Sequence, residues 1–267
     1  MMTSANFDAW SAGQNYEHYM GRWSRRIAAR YVDWLAAPAN ADWLEIGCGT
    51  GALTEAVLGR GEPHSITATD QSADFVAHAR AATTDPRARF EVGDSSRLPA
   101  SDGSIDVVTS GLVLNFIPDR PAALAEMHRV LKPKGLLSFY VWDYPGGGVG
   151  FIDGFWKAAG EIDPRADALN ERVRFPFCTG EALAGLCRQA GFEAPLAEPI
   201  EIETLFPDFE SFWHPFTLGA GPAPGYCASL AAEQRAMLRV RLEQELGTDG
   251  PISLAARAWA VKAQRPD

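Results

Sequence analysis

The sequence has no excess of positive charge. Its 24 lysines and arginines face 34 aspartates and glutamates, a net charge of −10. Phosphate backbones recruit Lys and Arg, so this balance argues against a nucleic-acid partner. Arg22, Arg25, Arg26 and Arg30 come closest to a local basic patch. Long hydrophobic runs are also missing: none approaches the roughly 18 residues that a membrane span needs. The N-terminus lacks the basic-then-apolar pattern of a secretory leader. Cysteine is scarce. Cys48, Cys178, Cys187 and Cys227 form no CxxC pair, which excludes zinc-ribbon and thioredoxin-type sites. These features together predict free thiols and a soluble, cytoplasmic protein. No set of His, Cys, Asp and Glu has a metal-ligand spacing, so no metal is expected. No nucleophile elbow is present either, which sets serine hydrolases aside.

What the chain does have is apolar material. Hydrophobic residues make up 46% of its 267 residues, enough for one large α/β domain with insertions and a core that needs no staple. Residues 1–15 are small and polar and read as a loose tail. From Tyr16 to Leu35 the large apolar side chains recur at helical spacing, which predicts an amphipathic helix. From Asp42 to Tyr140 short apolar strands alternate with helical patterns. The strands are expected at Trp43–Ile46, Ser65–Thr69, Ala88–Val92, Ile105–Thr109 and Leu136–Trp142. The helices are expected at Gly51–Leu58, Ser72–Ala82 and Pro121–Leu131. Such alternation means a mostly parallel sheet covered on both faces. Beyond it, Asp143–Cys178 reads as an insertion opened by a flexible Tyr144-Pro145-Gly146-Gly147-Gly148 turn. A helix follows at Thr179–Ala190, then a strand near Leu196–Glu203. An aromatic-rich stretch, a long helix at about Ala228–Leu246 and a last strand at Ile252–Lys262 complete the chain. The looser parts are expected to act as a lid on one core.

The most informative stretch is Trp43-Leu44-Glu45-Ile46-Gly47-Cys48-Gly49-Thr50-Gly51. An apolar strand runs into three alternate glycines, and a helix begins. In an open parallel sheet, ligands bind at the carboxyl ends of the strands, at the topological switch point. Two ligand classes use such a turn. The spacing Gly47, Gly49, Ala52 satisfies the looser dinucleotide pattern GxGxxA, and both classes want an acid at the end of the second strand, where Asp70 stands. Cys48 reads as a small packing residue rather than a nucleophile.

Four features carry a resemblance beyond the turn. Glu45 stands two residues before the first glycine. Asp70 ends strand two. Gly93-Asp94 ends strand three and precedes Leu98-Pro99. A strand at Asp106–Thr109 is followed by Leu112-Val113-Leu114-Asn115-Phe116-Ile117-Pro118-Asp119, and Arg129-Val130-Leu131-Lys132-Pro133-Lys134-Gly135 leads into strand five. In this order the sequence resembles the class I S-adenosylmethionine-dependent methyltransferases, in their small-molecule, UbiE-like (type 11) branch. The resemblance covers about Ala41–Tyr140. It implies a doubly wound, Rossmann-like, mostly parallel seven-stranded sheet with the last strand antiparallel, plus helical lid insertions. It implies one methyltransferase domain over 1–267, with a tail and capping helix at 1–38 and a cofactor-binding core at 39–142. The lid or substrate-covering insertions would be 143–178 and 206–250.

The resemblance also implies roles. Gly47, Cys48, Gly49 and Gly51 would pass under the methionine part of S-adenosylmethionine, and Glu45 would orient that loop or accept from the amino group. Asp70 would take both ribose hydroxyls. Gly93, Asp94 and Ser95 would meet the adenine, with Gln71 and Leu98 flanking it, and Leu112 would border the cofactor. Tyr19, Arg22 and Trp23 on the first helix are further cofactor candidates, Arg22 for the carboxylate. Many relatives have His where this chain has Asn115, which makes Asn115 a substrate-side position of altered chemistry. Trp156 and Trp213 are candidate acceptor-wall residues, and His214 or Asp143 a candidate base or orienting group. The expected reaction is in-line methyl transfer to a small-molecule acceptor, releasing S-adenosylhomocysteine, by a monomer or homodimer. The alternatives are a nicotinamide-dependent oxidoreductase and a catalytically silent S-adenosylmethionine-binding protein.

Overall fold

A computed structural model of the chain describes residues 14–267. The tail expected over residues 1–15 lies outside the described residues apart from its last two. The elements run α1 (Gln14–Tyr16), a π turn (Glu17–Gly21), α2 (Arg22–Leu35), β1 (Asp42–Ile46), α3 (Ala52–Arg60), β2 (Ser65–Asp70), α4 (Ala73–Ala82) and β3 (Ala88–Val92). They continue with β4 (Ile105–Gly111), α5 (Arg120–Val130), β5 (Leu131–Trp142), α6 (Gly150–Ile162), α7 (Glu171–Arg174), α8 (Gly180–Gln189) and β6 (Glu193–Phe206). Last come α9 (Phe209–Trp213), α10 (Pro222–Ser229), α11 (Ala232–Leu246) and β7 (Ile252–Gln264).

The seven strands form one sheet in the order β3-β2-β1-β4-β5-β7-β6. The pairs β1–β2, β2–β3, β1–β4 and β4–β5 are parallel, and β7 runs antiparallel to β5. The chain winds outward from β1 to β3, then returns to the other side of β1 with β4. The carboxyl ends of β1 and β4 therefore flank the switch point, where such sheets bind ligands.

The chain divides into two compact units. The larger holds 24–142, 177–200 and 258–267 and contains the parallel strands with their helices. Its core includes a buried hydroxyl relay. The Tyr31 hydroxyl donates to Ser138 Oγ at 2.6 Å and lies 2.9 Å from Thr109 Oγ1, and Ser138 Oγ donates to the Val261 carbonyl at 2.7 Å. Burial pushes the Tyr31 phenol up, so it stays a donor. Helix caps follow the sequence closely here. Ser72 caps α4, Asp119 caps α5 and Thr179 caps α8, each through a side-chain oxygen accepting a backbone N–H.

The smaller unit holds 1–23, 143–176 and 201–257. Its described residues contain a connected set of aromatic rings. Tyr19 meets Phe216 edge-on at 5.4 Å, Phe216 stacks on Phe155 at 4.5 Å, and Trp23 meets Phe206 at 5.3 Å. The expected insertion at 143–178 contains a regular helix, α6, whose Phe151, Ile152, Phe155, Trp156 and Ala159 are buried. These apolar residues share one helical face, which outweighs the flexible glycine turn before it. An expectation changes in this unit: the long helix expected near Ala228–Leu246 is two helices, α10 and α11. They break at Leu230 and Ala231, whose ψ values are 145° and 154°. The Arg235 guanidinium donates to the carbonyls of Cys227, Ala228 and Leu230, giving the end of α10 the partners a helix terminus lacks. Likewise the first helix is not uniform, since the π turn separates α1 from α2.

Replacing Tyr31 by Phe removes the donor to Ser138, which keeps its bond to the Val261 carbonyl, and takes away the Tyr31 partner of the buried Thr109 hydroxyl. The expected cost is about 1–3 kcal/mol, read as a melting temperature lower by several degrees with the folded-state spectrum unchanged.

Candidate active site

The glycine turn is built by strand-end hydrogen bonds. The Gly47 and Cys48 amides both donate to the Thr69 carbonyl of β2, at 2.7 and 2.9 Å, and the Gly51 amide closes the turn on the Cys48 carbonyl at 2.8 Å. Two positions in it require glycine. Gly47 has φ +76°, and a Cβ there would fall 2.4 Å from a Val113 methyl. Gly49 has φ +52°, but a Cβ there would meet nothing within 4 Å. The turn is thus packed against the protein on one side and open on the other, the shape that lets a ligand approach the backbone.

Three acids lie on or just past the strands β1 to β3. Asp70, half-buried at the end of β2, accepts from the Gly49 amide through Oδ2 at 3.0 Å and from the Ser72 amide through Oδ1 at 2.9 Å. Each oxygen keeps a lone pair for a ligand hydroxyl. Glu45 is 1% exposed and accepts from Thr54 Oγ1 at 2.5 Å. Burial is the largest influence on it. The Thr54 hydrogen bond opposes that influence, the Asp70 charge adds to it, and the carboxyl is pushed up to about 7. Asp94 is exposed and accepts from the Ser96 amide at 2.8 Å, which holds its carboxyl below the usual range. The Gly93 amide donates to the Asp70 carbonyl at 3.0 Å, so the ends of β2 and β3 are tied together. Ser95 is half-buried, Gln71 exposed and Leu98 buried. The Cys48 thiol is buried, and burial followed by the Glu45 and Asp70 charges pushes it far up, away from nucleophilic use.

Across the switch point, Leu112 follows β4 with φ +62°, held by its amide donating to the Tyr140 carbonyl at 2.8 Å. A left-handed leucine costs roughly 1–3 kcal/mol, and such strain gathers at functional sites. Asn115 is 3% exposed, and its Nδ2 has no hydrogen-bond partner among the described residues. Thr50 Oγ1, on the glycine turn, is in the same condition. Unsatisfied buried polar atoms of this kind call for a ligand or water partner. The open side of Gly49, the spare lone pairs of Asp70 and the orphaned Thr50 and Asn115 atoms fit a polar adenosyl ligand with an amino group. Among the described residues no group of His, Cys, Asp and Glu could hold a metal.

The remaining sequence candidates lie in the smaller unit. Tyr19 and Trp23 are buried in its aromatic set. The Arg22 guanidinium sits over the Trp23 and Phe206 rings, 4.4 and 4.8 Å from their centroids, and donates to the Ser211 carbonyl at 3.4 Å. Burial lowers its pKa, without taking away its charge. Trp156 and Trp213 are buried, whereas His214 is exposed. Asp143 is 2% exposed and fully engaged. Its Oδ2 accepts from Arg257 Nη2 at 2.6 Å and Nε at 2.8 Å, and its Oδ1 accepts from the Gly146 amide at 3.0 Å. It fastens the glycine-rich turn to β7. Sequence reasoning missed two residues, Thr54 and Glu171. The first lies nine positions after Glu45, with no motif to mark it. The second lies in a stretch read as loose.

A family model for a methyltransferase domain matches residues 44–139, the span that holds the glycine turn, Asp70, Asp94 and Asn115. Over that span the chain is similar to this methyltransferase domain family. It is 29% identical over 255 residues to a malonyl-[acyl-carrier protein] O-methyltransferase of Geobacter sulfurreducens, covering 92% of this chain and 90% of that one. It is 38% identical over 136 residues to a biotin biosynthesis bifunctional protein of Bordetella avium, covering 49% of this chain and 28% of the relative. The chain spans only 28, 50 and 44% of the length of three relatives that it matches at 30% identity or better. In fold it is similar to a Haemonchus contortus phosphoethanolamine N-methyltransferase 2 solved with S-adenosyl-L-methionine, with TM-score 0.61 and 14% identity. That match covers 100% of this chain and 61% of that one. These matches give the nicotinamide-dependent alternative no support.

The raised Glu45 pKa has a measurable consequence. The folded value of about 7 exceeds the unfolded one, so Glu45 binds a proton in the folded state that the unfolded chain has released. Its contribution therefore falls as pH rises from about 4.5 to about 7. In denaturant titrations of the ligand-free protein, Glu45→Gln is expected to flatten that decline. An unchanged pH profile would contradict the assigned shift.

Proposed function

We propose that the chain transfers the methyl group of S-adenosylmethionine to a small-molecule acceptor by in-line displacement. The observation that carries the reading is the pair of Asp70 oxygens at the open side of the glycine turn, each with one backbone N–H and one spare lone pair. Asp70 would take the two ribose hydroxyls. Glu45, beneath the turn, would take the amino group, and Asp94 with Ser95 the adenine edge. Thr50 Oγ1 and the turn amides would complete the cradle. The cofactor supplies an electrophilic sulfonium methyl group. The protein's contribution is to hold the acceptor in line, and positioning of this sort provides roughly 7–11 kcal/mol. Asn115 offers an amide donor on the acceptor side, where an imidazole could also move a proton. The assignments of Gly93, Gln71, Leu98 and Leu112 to the cofactor belong to this proposal. So do those of Tyr19, Arg22 and Trp23.

Residues 39–142 are read as the cofactor-binding part. The first helix and segments 143–178 and 206–250 are read as the part that selects the acceptor. The relatives are named for acceptors as different as malonyl-acyl carrier protein and phosphoethanolamine, so the acceptor must be argued from this chain's own residues. Phe151–Trp156 and Trp213–Phe216 supply its apolar wall in this reading. The net charge of −10 disfavours nucleic acid as that acceptor. No helix among the described residues is long and apolar enough to cross a membrane. We place the protein in the cytoplasm, as a monomer or homodimer.

Calorimetric titration with S-adenosylhomocysteine tests the cofactor reading. Wild type is expected to bind in the micromolar range and Asp70→Ala roughly 10–100-fold more weakly, the size of one charged hydrogen-bonding site. Wild type that is folded yet does not bind, or an Asp70→Ala variant that binds as well, would overturn it.

A further inference from the structure

The sheet ends on β3 at one side and β6 at the other. An unpaired edge strand is a template for another chain. The two edges differ in chemistry. β6 carries Glu193, Glu198, Glu201 and Glu203 without a lysine or arginine, and it contains Pro195 and Pro199. Like charge and missing amide donors keep a second β6 away. β3 is Ala88-Arg89-Phe90-Glu91-Val92, with one charge of each sign and no proline.

The backbone of β3 is half used. The Ile66 amide of β2 donates to the Arg87 carbonyl at 2.9 Å, and the Gly93 amide donates to the Asp70 carbonyl at 3.0 Å. Arg89 and Glu91 therefore turn their N–H and C=O groups to β2, while Ala88, Phe90 and Val92 turn theirs outward. The Ala88 amide is taken by the Asp85 carbonyl at 3.1 Å. The Arg80 guanidinium donates to the Phe90 carbonyl, which keeps its second lone pair. The Phe90 and Val92 amides have no partner among the described residues. The Phe90 ring is buried with Cys48, Ala68, Val76 and Ala79, but Val92 is 59% exposed. Arg89 and Glu91 are exposed, and neither side chain has an ion pair or hydrogen bond among the described residues.

One register uses all of these groups. In antiparallel pairing centred on Phe90, Phe90 faces Phe90 of a second copy, Arg89 faces Glu91, and Ala88 faces Val92. Each of the last two oppositions occurs twice, the self-complementary pattern of a two-fold interface. The Phe90 amides meet the opposite Phe90 carbonyls, and the Val92 amides meet the opposite Ala88 carbonyls. Arg89 and Glu91 fall in a non-hydrogen-bonded pair, where side chains stand closest. Opposite charges placed there favour pairing. Beside the strand, Ala73 and Ala77 share the side of α4 that carries Arg80. Both are exposed and small, so α4 leaves room for a second chain.

We propose that two copies of this chain pair β3 to β3, antiparallel about a two-fold axis at Phe90, with Arg89 of each copy facing Glu91 of the other. Residues 88–92 lie outside the proposed cofactor contacts, so the pairing stands or falls separately from the methyl-transfer reading.

Sedimentation velocity of the full chain, over a concentration series reaching about 0.3 mM, tests the pairing, because five residues a side make a small and weak interface. Wild type is expected to dimerise reversibly. Arg89→Glu and Glu91→Arg each turn both facing pairs into like charges, and each should weaken the dimer roughly tenfold or more. The double variant Arg89→Glu/Glu91→Arg recreates the pairs and should dimerise as wild type does. An equimolar mixture of the two single variants recreates them too and should form the heterodimer. Glu201→Arg, on the other edge, should leave dimerisation unchanged. Melting temperatures taken where wild type is monomeric should match across the set, which shows that the exposed exchanges leave the fold intact. A wild type that stays monomeric throughout would overturn the pairing. So would a dimer indifferent to the single exchanges, one that neither the double variant nor the mixture restores, or one lost with Glu201→Arg.

Discussion

Asp70 is the group on which the glycine turn depends. One of its oxygens holds the Gly49 amide and the other the Ser72 amide, so a single strand-end carboxylate fixes the turn after β1 and the start of the helix after β2. The same charge acts on Glu45, which lies buried beneath the turn and is pushed up to about 7. For Glu45, burial and the neighbouring Asp70 charge both disfavour the ionised form. A ligand with hydroxyls for the outer acid and a cation for the inner one relieves both penalties. The site is thus pre-organised for such a ligand at the expense of the ligand-free state, the usual trade between stability and function.

Much of this arrangement was legible in the sequence because it is local. Strand, glycine turn and helix follow one another in a single run, and the acids that serve them stand at strand ends, where apolar alternation stops. Caps such as Ser72, Asp119 and Thr179 are likewise written beside the helices they start. The mostly parallel sheet with an antiparallel last strand followed from the strand–helix alternation and the family pattern together. What the sequence did not show is long-range. Nothing marks Thr54 as the donor to Glu45. No local signal separates α10 from α11, since the break is held by Arg235 reaching back to three carbonyls. The left-handed Leu112 is invisible too, because leucine carries no turn preference.

The smaller unit was harder to read for a physical reason. Its buried residues come from three separate stretches of chain, so no single stretch shows which of them meet. The aromatic content was plain, and the wall at Phe151–Trp156 and Trp213–Phe216 could be named. The polar groups within it could not. Asp143 was a candidate base or orienting group, yet it is bound by Arg257 and the Gly146 amide. Glu171 sat unremarked in a polar stretch, yet it is buried against an indole. Charge alone does not show which acids a fold holds in place; their partners do.

The central claim is that the glycine turn with Glu45 and Asp70 receives the amino group and ribose of S-adenosylmethionine. Proton uptake or release during binding tests it most directly. At about pH 6 Glu45 is protonated in the ligand-free protein, and an ammonium group placed beside it drives the proton off. Calorimetry of S-adenosylhomocysteine binding in buffers of different ionisation enthalpy should show release of most of one proton by wild type and none by Glu45→Gln. Absence of binding, or binding by wild type with no proton released, would contradict the account.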